Sequence, residues 1–119
     1  HYLIGLPMWN FGIPYKLKHL IDVIAQPGLT FGYDPAKGYF GLVTGKQAVT
    51  IYAKGGKYSA GSGAEALDFQ QPYLEHILRF MGITEQHAIV AEGTLYGPEA
   101  AAAARAHGIA EAERLAKLL

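Results

Sequence analysis

The chain has 119 residues, half of them hydrophobic and 17% charged, with ten basic side chains set against ten acidic ones. That length fits one domain, and that composition specifies a packed core rather than disorder. The even charge balance lacks the basic patch that nucleic-acid or membrane-surface binding needs, and no apolar run reaches the roughly 20 residues of a membrane span.

The first apolar run is Tyr2 to Leu6, stopped by Pro7, where a strand rarely continues. Pro14 then suits a first helical turn, and Leu17, Leu20, Ile21 and Ile24 follow at helical spacing until Pro27-Gly28. Gly28 to Lys46 forms a long connection without an assigned element. The second strand is Gln47 to Ala53, ended by Gly55-Gly56. Pro72 opens a second helix with Leu74, Ile77, Leu78 and Met81 on one face and Gly82 at its end. His87 to Ala91 is the third strand, and Pro98 opens an alanine-rich third helix. Its expected apolar set is Ile109, Ala112, Leu115, Ala116 and Leu119, with a Glu113–Lys117 pair outside and a bend or close packing at Gly108. The order β-α-β-α-β-α predicts one α/β domain with a parallel sheet and right-handed crossovers. The apolar strands, without clean alternation, suit a sheet covered on both faces.

Several familiar motifs fail on spacing. Gly41 to Lys46 is one residue short of a phosphate loop and precedes a strand instead of following one, so it reads as a turn. Gly61-Ser62-Gly63 begins too far beyond the strand for a dinucleotide fingerprint and reads as a loop. The five histidines form no metal-ligand spacing, there is no Gly-x-Ser-x-Gly elbow, and cysteine is absent. No metal site and no nucleophilic hydrolase are therefore expected, and the lack of cysteine is compatible with a cytoplasmic location. His1 stands inside an apolar stretch with no charged n-region of signal-peptide type before it, and the expectation is that this start is not a natural one.

Two strand-end loops carry the chemistry that remains. Pro7 to Pro14 contains Met8, Trp9, Asn10 and Phe11 between the carboxyl end of a strand and the start of a helix, where open α/β sheets bind ligands. It reads either as an ordinary connection with buried aromatics or as a wall for a planar cofactor, with one amide to bond in-plane acceptors. Ala53, Lys54, Gly55 and Gly56 stand at the carboxyl end of the next strand, either as a simple turn or as a place of close backbone approach.

Together with Leu17-Lys18, Ile21-Asp22, Gly28 to Phe31, Pro72 to Leu74, Phe80, Gly82-Ile83, Ala91 to Gly93 and Gly97 to Glu99, these loops resemble the FMN-dependent NADH:quinone oxidoreductases, the azoreductase family of the flavodoxin-like superfamily. The family usually has tyrosine where Trp9 stands, and commonly Ser-Arg at Ala53-Lys54. The resemblance implies a flavodoxin-like, doubly wound parallel sheet of which residues 1–119 carry the last three strands and their helices. The first strands and the serine-rich phosphate loop have no counterpart. It implies an enzyme that passes electrons from NAD(P)H through FMN to quinones or azo compounds in a ping-pong cycle, as a homodimer, with no catalytic side chain. Met8, Trp9, Asn10, Phe11, Ala53, Lys54, Gly55 and Gly56 would hold the cofactor, and Phe31 and Phe80 would stack on substrate. The alternatives are a flavodoxin-like binding or electron-carrier module and a truncated fragment without activity. The strand at Tyr2 to Leu6 is expected to be an unpaired edge covered by another polypeptide.

Overall fold

The computed structural model describes all residues from His1 to Leu119. Three strands, β1 (Tyr2–Pro7), β4 (Gln47–Ala53) and β5 (Glu85–Ala91), form a parallel sheet in the order β1-β4-β5. Three helices cover it: α1 (Tyr15–Ile24), α2 (Gln71–Met81) and α3 (Pro98–Leu118). None is long and apolar enough to cross a membrane.

Burial on β4 alternates with the pleat. Ala48, Thr50 and Tyr52 are sealed on one face, in a core with Leu6, Ile21, Leu74, Leu78, Met81 and Ile83. On the opposite face Ile51 and Ile89 meet α3, with Ile89 Cγ2 3.8 Å from where a Cβ on Gly108 would stand. The sheet is thus covered on both sides, and the alternation is in depth of burial rather than in residue polarity.

Three expectations need correction. The connection from Gly28 to Lys46 holds an antiparallel hairpin, β2 (Phe31–Asp34) and β3 (Gly38–Gly41), outside the main sheet. Its turn is set by Asp34, whose Oδ1 accepts the N–H groups of Ala36 and Lys37. The hairpin docks on α2 at a backbone contact: a Cβ on Gly41 would lie 2.2 Å from the Gly82 nitrogen. On α1 only Ile21 is buried, while Leu20 and Ile24 line an open apolar groove with Leu3 and Ile4. They stay open because no strand lies beyond β1. On α3 the inward stripe is Ala101, Ala104, Gly108, Glu111 and Leu115, and Ile109 and Leu119 are exposed. The small residues allow close approach to β5, and the helix's ion pair is Glu111–Arg114 at 2.9 Å rather than one between Glu113 and Lys117.

Candidate functional site

Parallel pairing in register sets the carboxyl ends of β1 and β4 side by side, with Pro7 opposite Ala53. The Met8 N–H extends the ladder by donating to the Ala53 carbonyl at 2.7 Å. Beyond it, Trp9 and Gly12 exchange two main-chain hydrogen bonds, each 3.0 Å long. They close a two-residue turn in which Asn10 (φ 49°) and Phe11 (φ 69°) both lie in the left-handed region. Two positive φ angles in succession define a type I′ turn, which ordinarily has Gly at its second central position. Asn10 tolerates that conformation, but Phe11 holds it at a cost. The Trp9 and Phe11 rings are half exposed, and Phe11 meets the edge of Tyr58 with ring centroids 6.3 Å apart.

The second loop, Ala53 to Gly56, is bonded to the segment after β5. Lys54 N–H donates to the Ala91 carbonyl, Thr94 to the Lys54 carbonyl, Leu95 to that of Gly55, and Gly93 to that of Gly56. Asn10, Phe11, Gly55 and Gly56 donate their own N–H groups to nothing within the chain. Four unpaired main-chain donors therefore belong to two loops at one end of the sheet. Such donors suit the electron-rich edge of a planar ligand.

The Lys54 side chain runs inward and is 3% exposed. Its Nζ lies 2.5 Å from Asp68 Oδ2 and donates to Gln71 Oε1 at 3.2 Å. These three residues line a polar cavity of about 560 Å³ with Tyr58, Ser59, Glu92 and His107. Partial burial alone would raise the Glu92 carboxyl. Hydrogen bonds from the Ser59 hydroxyl and the Tyr58 and Ser59 N–H groups outweigh it and hold the group below the usual carboxylate range. Trp9 and Asn10 do not line this cavity.

The structure therefore brings Met8, Trp9, Asn10 and Phe11 to the same sheet end as Ala53, Lys54, Gly55 and Gly56. Phe31 and Phe80 come together elsewhere. Their rings are 4.7 Å apart and, with Tyr39, join the hairpin to the last turn of α2. The first turn of α2 is the one beside the loops, since Phe69 just ahead of it donates to the Phe11 carbonyl, and the helix carries Phe80 about 15 Å away at 1.5 Å per residue. Sequence reasoning missed Asp68, Gln71, Tyr58 and Glu92. Asp68, three residues before a helix that carries Pro72 in its first turn, is of a residue type that caps helices, and that was its one available signal.

Comparison with known proteins agrees with this architecture. A family profile described as "Flavodoxin-like fold" matches residues 1–116. An FMN-dependent NADH:quinone oxidoreductase of Nitratidesulfovibrio vulgaris is 54% identical over 116 residues, which are 97% of this chain and 55% of the relative. A crystal structure of an azoreductase from Bacillus anthracis superposes with a TM-score of 0.89 at 32% identity, covering 98% of this chain and 55% of that one. A Bacillus anthracis FMN-dependent NADH-azoreductase in complex with FMN superposes with a TM-score of 0.83 at 27% identity, covering 99% and 56%. The chain spans about half the length of the curated relatives it matches. With nearly every residue inside the family profile, and with a parallel sheet and helices on both of its faces, the chain belongs to the flavodoxin-like fold family.

Proposed function

We propose that these residues form the ring-binding part of an FMN-dependent oxidoreductase of the NADH:quinone reductase and azoreductase type. The observation that carries the reading is the set of unpaired N–H groups of Asn10, Phe11, Gly55 and Gly56 on two loops joined at Met8 and Ala53. Bound there, FMN would supply the redox chemistry, a ping-pong relay of electrons from NAD(P)H to a quinone or azo compound. The chain's own task is to bind and orient. Main-chain donors of the Trp9–Gly12 turn would hold the polar edge of the ring system, and the Asn10 amide would add a side-chain hydrogen bond. Gly55 and Gly56 would offer backbone without bulk to the pyrimidine end, and Met8 and Ala53 fix the separation of the two loops. Trp9 and Phe11 supply exposed aromatic surface that shields the ring from water. No side chain is required as general acid or base. The names borne by the relatives support this reading.

The test uses the 119-residue chain completed with the portion of the Nitratidesulfovibrio vulgaris relative that it does not span. The expected result is flavin binding together with NADH oxidation that depends on added quinone. Flavin binding without turnover would favour an electron-carrier module, and absence of flavin binding would contradict the proposal.

A further inference from the structure

We propose that the buried Lys54–Asp68 ion pair is a positioning clasp that holds the Gly55–Gly56 loop and the Trp9–Gly12 turn in one fixed rim. The inference rests on the reading of that rim as the cofactor site, and it assigns Lys54 a role exercised through geometry rather than through contact with the ring.

Lys54 has its main chain and two of its three ammonium donors committed within the chain. Its N–H donates to Ala91, its carbonyl accepts from both the N–H and the hydroxyl of Thr94, and its ammonium is taken up by Asp68 and Gln71. The Asp68 carboxylate is equally committed. Oδ2 accepts from Lys54, and Oδ1 accepts the N–H groups of Gln70 and Gln71 at 2.9 and 3.1 Å, capping the first turn of α2. The next residue carries the connection onward, because the Phe69 N–H donates to the Phe11 carbonyl at 2.9 Å. Gln70 adds a second tie, from Nε2 to the Leu6 carbonyl at 3.4 Å. A continuous path therefore runs from the Gly55–Gly56 loop through Lys54, Asp68 and Phe69 to the left-handed Phe11.

A buried ion pair is weak evidence for stability, since apolar residues of similar volume often serve as well. Its advantage is direction. A 2.5 Å contact between side chains that are 2% and 8% exposed admits little slack. The turn it steadies contains Phe11 in a costly left-handed conformation that relaxes unless its surroundings hold it.

The experiment compares Lys54→Met, the nearly isosteric Asp68→Asn and the double variant in the completed protein. Amide exchange is followed at Gly12 and Phe69 on the turn side, at Gly93 and Leu95 on the loop side, and along the β4–β5 ladder. FMN affinity is measured in parallel. Each single substitution should speed exchange at Gly12 and Phe69 by about tenfold or more while ladder amides keep their rates, and the double variant should add little, because the two residues act as one unit. FMN affinity should fall by about tenfold in the same variants. The clasp is overturned if ladder and turn amides accelerate alike, if Gly12 and Phe69 do not change, or if the single effects multiply in the double variant. It is equally overturned if the turn loosens with FMN affinity unmoved. If the unsubstituted completed protein binds no FMN, the functional reading fails, and the exchange data still decide whether the two loops are coupled.

Discussion

Phe11 shows at the scale of one residue how a site conflicts with local preference. A glycine there would relieve a left-handed strain of about 1–3 kcal/mol. Against this stand the entropy of a freer unfolded chain, about 0.5–1 kcal/mol, and the edge contact with Tyr58, about 0.5–1.5 kcal/mol. Phe11→Gly is therefore expected to change unfolding free energy by less than about 1 kcal/mol, although it deletes an entire aromatic ring. A urea titration showing a loss above about 2 kcal/mol would mean that Phe11 is held by packing, not by strain. The composition of Met8 to Phe11 was legible in the sequence; its conformation was not, because nothing in an Asn-Phe pair announces two positive φ angles. Glu92 gives a pH dependence with a definite sign. Its folded value lies below the usual one, so its hold on Tyr58 and Ser59 is present above about pH 4.3 and is lost as pH falls through the lowered value. The Tyr58 amide resonance should titrate with a midpoint below that ordinary value, and a midpoint at or above it would refute the assignment.

At the scale of elements, apolar runs made the three strands readable and helical spacing the three helices, and the absence of both hid the hairpin. Phe31 to Asp34 and Gly38 to Gly41 are short, glycine-rich and outside the main sheet, so neither presents an apolar run. The signal that was available is the Asp34-Pro35 start of a turn. Phe31 and Phe80 cluster with Tyr39 away from the two loops, and a structural aromatic cluster and a binding wall look alike in sequence. The inward stripe of α3 differs from the expected one for a related reason: alanine and glycine permit close packing without standing out as apolar. The hairpin's docking makes its own prediction. Gly41→Ala would drive a methyl group into the backbone at Gly82, where neither chain can yield cheaply. A loss of about 1–3 kcal/mol is expected in denaturant unfolding, and a neutral result would show that the hairpin floats free of α2.

At the scale of the molecule, β1 is an edge strand with no partner on its outer side. The groove beside it is apolar, and Leu3, 75% exposed, stands at its mouth. Exposed edges of this kind recruit further strands. The 119-residue chain is accordingly expected to self-associate in gel filtration with light scattering, and a stable monomer at high concentration would contradict that. The central claim concerns the other end of the account, the rim formed by the Trp9–Gly12 turn and the Gly55–Gly56 loop. Its most direct test is an FMN titration of the completed protein followed by amide resonances. The account predicts that the Asn10, Phe11, Gly55 and Gly56 signals shift together and saturate with the flavin. Saturable flavin binding that leaves those four amides unmoved would contradict it.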